Sequence, residues 1–470
     1  MAAILLARAG WSVLILERAP QVGGAAVSGE PFPGTGARLS RYAYLVSLFP
    51  RTLADMLGLR IELRPRAVAS YTPTGNTGLL VQKDGPRPWD EFDAMLSRVA
   101  DRLFPTFLEP LRSRSEFRRL IDDDEAWKVL FEEPLSEVPE RTFGSDVARG
   151  TVLTDALIGT FAPADDPALR QNRCFLYHLR RWDVPVGGMG ALTAELEALA
   201  RGAGVELRTG TEVVSVTPDG EVACAAGERF HARHVLANIA PAVLSELLSE
   251  RRMDRPEGSQ LKINMLLSRL PRLRDRQVTP EQAFTGTFHV NESYQQLQRA
   301  FEQAARGEIP AEPPCEMYCH SLTDPSTLSA ELRAAGAQTL TLFGLHMPAR
   351  LFVDDPSERK RDAVAATLRS VDSVLAEPLE DCLWRDADGN PCLEALTPPE
   401  LELELGMPGG HIFHGDLSWP YAEREDDVGC WGVETAHPNI WLCGAGARRG
   451  GGVSGIPGHN AAQALLSSRV

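Results

Sequence analysis

The sequence predicts an α/β fold in two interleaved parts. A parallel-sheet domain is assembled from the separated segments 1–65, 183–258 and 412–470. An α+β domain is made of 66–182 and 259–411. Three observations carry this reading. Residues 439–466 read NIWLCGAGARRGGGVSGIPGHNAAQALL, an apolar run, then a turn crowded with glycine, then an alanine-rich helix former. Residues 12–16 (SVLIL) are a short apolar strand that follows a helix former and ends on Glu17. Residues 185–238 repeat the alternation of helix and strand that parallel sheets require.

Bulk properties narrow the function classes. A chain of 470 residues is long enough for two joined domains. A net charge of −16 argues against a broad basic face, and so against nucleic acid as a partner. The 8 cysteines are scattered without a Cys-x-x-Cys pair, which removes dithiol redox chemistry and points to free thiols. Cys315, Cys319 and His320 lie close together but lack two further ligands nearby, so no metal is expected. No run reaches the ~18 apolar residues of a membrane span. Residues 1–7 (MAAILLA) lack a basic leader and run into Arg8, so they read as helix rather than signal peptide.

Taken in order, residues 2–9 form a helix closed by Gly10, and 12–16 form a strand. In a dinucleotide-binding βαβ unit, a carboxylate at the end of the second strand takes the ribose hydroxyls ~20 residues beyond a Gly-x-Gly-x-x-Gly turn. Glu17 occupies that place, yet only 16 residues precede it. The first strand and the glycine loop are therefore missing. A fragment, a start codon placed too late and a chain that lacks its pyrophosphate loop all fit. Gly23 and Gly24 allow a turn to pass close to a cofactor. Arg38 and Arg41 either approach a phosphate or substrate, or face solvent.

Strands are expected at 68–71 and 78–82, and a helix over 89–120. The acidic run 122–125 reads as a solvated helix start. A tight turn at 186–190 leads into a helix at 192–200 and strands at 205–207, 211–216 and 235–238. Residues 261–267 and 339–345 are strands, and 355–375 a helix. His411, His414 and Asp416 have the spacing of metal ligands but no supporting shell. They read as a structural loop or a pocket lining.

Assembled, the Leu-Glu-Arg with Gly23-Gly24, the GGMGAL turn at 187–192 and the carboxy-terminal CGAGARRGGGVSGIPGHNAA resemble the phytoene-desaturase-like flavoproteins. Within that group the chain is most similar to the family called pyridine nucleotide-disulfide oxidoreductase domain-containing protein 2. The segments GGHIFHGD, CEMYCHSLTDPSTLS and TLTLFGLHMPARLF add to the match. The resemblance implies a Rossmann-type FAD-binding domain with an interleaved substrate domain. It implies that Glu17, with Arg18 beside it, holds the adenosine ribose, and that Gly23 and Gly24 pass the pyrophosphate. Val214 would meet the adenine through its backbone, and Gly444 and Ala445 the ribityl phosphate, where relatives often carry an acidic residue. Gly452, Val453 and Ser454 would flank the isoalloxazine, ahead of a helix whose N–H groups and dipole favour an electron-rich edge.

The function implied is an FAD-dependent oxidoreductase. It moves a hydride from a C–H bond of an apolar substrate, an isoprenoid among the candidates and an amine or saturated lipid still open, to flavin N5, with a quinone or oxygen as acceptor. No catalytic residue is assigned, and His459 reads as a capping or packing histidine. The alternative is a non-catalytic regulatory or interaction protein on the same fold. A nicotinamide-dependent dehydrogenase would have no use for the carboxy-terminal motif. Lysine occurs only at Lys83, Lys128, Lys262 and Lys360, against abundant arginine. That bias points to a bacterial cytoplasm. Relatives make a mitochondrial matrix or peripheral membrane location the alternative.

Overall fold

The computed structural model describes residues 1–46, 48–179, 182–251, 253 and 255–468. Two parallel strand pairs hold the segments that are distant in sequence. Leu14–Leu16 runs beside Glu206–Arg208, and Val235–Ala237 beside Ile440–Leu442. The helices Ala2–Arg8, Met189–Gly202 and Ile456–Ser467 cover them through Ile4, Leu6, Ala200, Ala462 and Leu465. Gly10 closes the first helix with φ +85, a conformation that suits glycine. A three-stranded meander, Val213–Val216, Glu221–Cys224 and Arg229–His231, adjoins these pairs. Thr211 brings it against Glu17, its N–H donating to the Glu17 carbonyl at 2.8 Å.

The other part is built on a mixed seven-stranded sheet. Its order is Leu393–Leu396, Leu261–Leu267, Gln338–Gly344, Cys315–Tyr318, Thr287–Val290, Val68–Thr74 and Thr77–Gln82. Side chains alternate across a strand, and here the two faces differ in chemistry. Ile263, Met265, Leu340, Met317, Phe288 and Tyr71 share one apolar core with Phe284, Ala363 and Val371 of the covering helices. The opposite face carries Lys262, Asn264, Thr341, Glu316 and His289. All of these are buried as well. A polar sheet face under cover is costly unless its groups are matched, so this face is where chemistry is expected.

The helix expected over 89–120 is broken. It consists of Asp90–Leu103, a 3₁₀ turn Phe104–Leu108 and a separate helix Arg114–Ile121. Pro105 tightens the turn and Pro110 cannot continue a helix. Ser113 and Glu116 then form a capping box that starts the next helix. The 122–125 run does start a helix, with the Asp123 side chain accepting from the Ala126 N–H. The remaining strands and helices fall where expected, with ends shifted by a few residues. Among the described residues, no helix is long and apolar enough to cross a membrane.

The helix Asp146–Leu153 meets the turn after Thr287–Val290 without any gap. A Cβ added at Gly150 would lie 1.9 Å from the Glu292 carbonyl oxygen and 2.6 Å from the Tyr294 nitrogen. Both are backbone atoms that cannot swing aside. Gly150→Ala is therefore expected to destabilise the fold by about 2 kcal/mol, read as a lower denaturant midpoint. An unchanged midpoint would show that the two segments separate freely.

Candidate active site

The glycine-rich turn is wound in an unusual backbone conformation. Arg449, Gly451, Gly452, Val453 and Gly455 all have positive φ, at 62°, 92°, 62°, 53° and 67°. For a β-branched valine this is strained, of the order of 1–3 kcal/mol, and such strain persists only where the surroundings enforce it. Arg449 is one of the enforcing groups. It is 1% exposed, and its guanidinium donates to the carbonyls of Thr106 at 2.8 Å, Glu109 at 2.6 Å and Trp431 at 2.7 Å. Burial pulls its pKa down to about 10. Ser454 Oγ accepts from the Ile456 N–H at 3.3 Å, at the start of the final helix.

The turn packs against a segment that also covers the polar sheet face. A Cβ at Gly452 would lie 2.6 Å from Leu48 Cδ1. Upstream of Leu48, this segment runs along the strand Leu261–Leu267. Ala37 and Leu39 pack with Leu266, and the Asn264 amide donates to the Arg41 carbonyl at 2.9 Å. Lys262 Nζ then sits 4.3 Å from the centre of the Tyr44 ring. One stretch of chain thus links the glycine turn to Lys262.

Lys262 is 1% exposed, and Nζ has no hydrogen-bond partner among the described residues. Burial holds its pKa well below that of an ordinary lysine, with Glu394 pulling weakly the other way. Burial therefore favours the neutral form of the amine over the charged one. Both ring nitrogens of nearby His320 also lack partners. Burial, with Arg66 nearby, lowers the His320 pKa to about 3, so this ring stays neutral. Tyr44 and His320 line a pocket with Arg38, Ser40, Val184 and Thr341. Phe343, Leu345, Trp182 and Ile412 supply apolar walls around Tyr44. Deeper on the same face, burial and the neighbouring Glu292 raise the Glu316 pKa to about 7.

The residues singled out in the sequence fall in two groups. Glu17 stands at the end of Leu14–Leu16, where one carboxylate oxygen accepts from the Ala19 N–H at 2.8 Å. Gly23 is pressed on Thr193, whereas Gly24, at φ +54, faces open space. Val214 is 49% exposed and has no ladder partner, because its strand bulges between Val213 and Ser215. In the second group, Gly444 lies against Asn238, and Gly452 to Ser454 form the left-handed turn after Ala445. Ala26, Met189 and Val453 share one apolar cluster, which joins the two groups.

Arg18 points elsewhere, donating to the Glu404 carbonyl at 3.0 Å at the end of the helix Pro398–Leu405. Arg41 is taken up by Glu394 at 2.7 Å and Glu404 at 3.1 Å. His414 abuts Gly446, and His411 stands 3.9 Å from Asp416. His459 is buried between Asn460 and Trp431, a packing role. Sequence reasoning missed Lys262, Tyr44 and His320. One signal was available: Lys262 is a rare lysine, and it interrupts the apolar run LKINMLL.

The family described as "Flavin containing amine oxidoreductase" matches residues 1–269. An uncharacterized protein of Mycobacterium tuberculosis (strain ATCC 25618 / H37Rv) is 48% identical over 513 residues, covering 99% of this chain and 95% of its own length. Pyridine nucleotide-disulfide oxidoreductase domain-containing protein 2 of Mus musculus is 27% identical, covering 99% of this chain and 91% of its own. Among solved structures, an oxidoreductase from Methanosarcina mazei shares the fold. Its TM-score is 0.60 at 12% identity, covering 99% of this chain and 96% of its own.

Proposed function

The chain belongs to the flavin containing amine oxidoreductase family and is an FAD-dependent oxidoreductase, and from that premise we propose that it desaturates or dehydrogenates an elongated apolar substrate at the Lys262 face. Lys262 carries the reading. A fully buried amine with no hydrogen-bond partner among the described residues, facing only the Tyr44 ring, is costly to keep on the sheet face behind the glycine turn.

The residues present fit FAD. Glu17 offers a carboxylate oxygen without a partner among the described residues, suited to ribose hydroxyls. Gly24 leaves its face open for a diphosphate, and Val214, half-exposed and out of register with its partner strand, would meet the adenine. The strained turn at 452–454 would lie beside the ring system. Arg18 contributes only if it leaves the Glu404 carbonyl, so its part is the weakest of the set. Bound FAD supplies the hydride acceptor. This chain supplies the rest. Phe343, Trp182 and Ile412 pack around Tyr44 and would keep water from that side of the site. Lys262 Nζ, held neutral, takes the proton from the carbon next to the one that loses hydride, so that a double bond forms.

The test is anaerobic mixing of the purified protein with an acyclic isoprenoid in detergent micelles, and separately with a primary alkylamine. Bleaching of the visible flavin absorption by the isoprenoid is the expected result. Bleaching by the amine alone would move the substrate class to amines. Folded protein without flavin absorption would overturn the proposal as a whole.

A further inference from the structure

The polar face of the seven-stranded sheet holds a second cluster that the site above does not use. His289 and Glu316 are directly opposite residues on the antiparallel strands Thr287–Val290 and Cys315–Tyr318. Their side chains therefore leave the same face as neighbours. Asn291, with φ 52, turns the chain sharply after the first strand, and Glu292 follows it. His289 Nδ1 lies 2.5 Å from Glu292 Oε2 and 3.8 Å from Glu316 Oε1. One ligand atom from each of the three lies within 4.8 Å of the others.

Two features set this cluster apart from an ordinary buried hydrogen-bond network. Glu292 and Glu316 are 1% and 0% exposed, and each keeps an oxygen, Oε1, with no hydrogen-bond partner among the described residues. The free Glu316 oxygen is the one aimed at His289. Charge is also unbalanced. Glu292, Glu316 and the nearby Asp155 are three carboxylates facing one guanidinium, Arg66, whose Nη1 donates to Thr287 at 2.8 Å. Carboxylates at this depth require protons or a cation. An imidazole nitrogen with two carboxylates is the donor set of a first-row divalent ion. The Tyr318 hydroxyl donates to the other Glu316 oxygen, as outer partners of metal-binding carboxylates do.

We infer that His289, Glu292 and Glu316 form a binding site for one divalent transition-metal ion of the zinc class. Tyr318 orients Glu316. The ion replaces the proton shared by His289 and Glu292 and cancels the excess carboxylate charge. It also pins the two strands beneath Tyr44, whose ring centre is 4.9 Å from that of Tyr318. The role is structural, and it stands apart from the substrate proposed above.

The experiment uses the flavin-loaded full chain, stripped of metal by a chelator, dialysed and titrated with Co²⁺ and Zn²⁺. The expected results are one equivalent bound, a visible Co²⁺ d–d absorption and a higher melting temperature. Glu316→Gln and His289→Gln should each weaken binding at least tenfold. Wild-type protein that shows no Co²⁺ absorption and no melting shift overturns the inference and leaves the cluster neutralised by protons. Binding that survives in the Glu316→Gln and His289→Gln double variant also overturns it, because the ion then sits elsewhere. Should one variant fail to fold, the other single variant decides where the ion sits.

Discussion

Lys262→Met is expected to give a protein that is more stable than the parent and almost inactive. The methionine keeps the length of the side chain and removes an amine that is 1% exposed with no hydrogen-bond partner for Nζ. Burying an unmatched polar group costs free energy, so the exchange should stabilise the fold by about 1–3 kcal/mol. A proton acceptor in place accelerates such steps by ~10²–10⁴-fold, and turnover should fall by that order. The readouts are the melting temperature and the rate at which substrate bleaches the flavin. Lys262→Arg should lose on both counts, because a guanidinium cannot shed its proton in this setting. A methionine variant with unchanged turnover would remove Lys262 from the mechanism. One with lowered stability would mean that Nζ has a structural partner.

The same group predicts a pH dependence. Burial lowers the Lys262 pKa in the fold, whereas the unfolded chain keeps the ordinary value of ~10.4. Between these values the unfolded state binds more protons than the native state, so stability from this group rises with pH across that window. It is lost as pH falls toward the folded value. The stability advantage of Lys262→Met should accordingly be largest near neutral pH and shrink as pH approaches ~10. An advantage that grows with pH would show that the amine is charged in the fold.

What the sequence disclosed and what it hid follow from how each signal is encoded. The 440–466 motif is local: strand, glycine turn and helix are contiguous, and the final helix Ile456–Ser467 forms where expected, starting a few residues early. Gly24 and Val214 are legible for the same reason, as a turn glycine and a strand residue. Lys262 was hidden because the alternation in LKINMLL reads as a strand with one apolar face and one polar, solvent-facing face, whereas both faces are buried. That the face carrying Lys262 and Asn264 lies under cover becomes readable only when the packing of segment 37–46 on it is known. His289, Glu292 and Glu316 are brought together by one strand pairing and one left-handed turn, neither of which leaves a mark on spacing. The break at Pro105 and Pro110 was legible and was overridden by helical periodicity on either side. The partner of Arg18 was hidden by distance, since the helix end it meets lies nearly four hundred positions away, at Glu404.

Arg449→Met should unfasten the glycine turn and release the flavin. The guanidinium is the sole hydrogen-bonding group described for the carbonyls of Glu109 and Trp431, and it shares that of Thr106. Its loss leaves the part-buried carbonyls of Glu109 and Trp431 without donors, at about 1–3 kcal/mol each. Relief from burying a cation offsets part of this, since the Arg449 pKa is already pulled down to about 10. A net destabilisation of about 3 kcal/mol is expected. The consequence reaches further than stability. Arg449 itself has φ 62, and Val453, four residues on, is held at φ 53. Without the anchor the strained valine can relax to an ordinary conformation, and the turn loses the shape proposed to receive the ring system. Flavin content per chain should therefore fall at least tenfold, while the seven-stranded sheet remains folded. Arg449→Lys should be intermediate, because one ammonium cannot reproduce a planar fork spanning carbonyls on two segments. Full flavin content in the methionine variant would mean that the turn keeps its shape by packing on Leu48 and Phe413 alone.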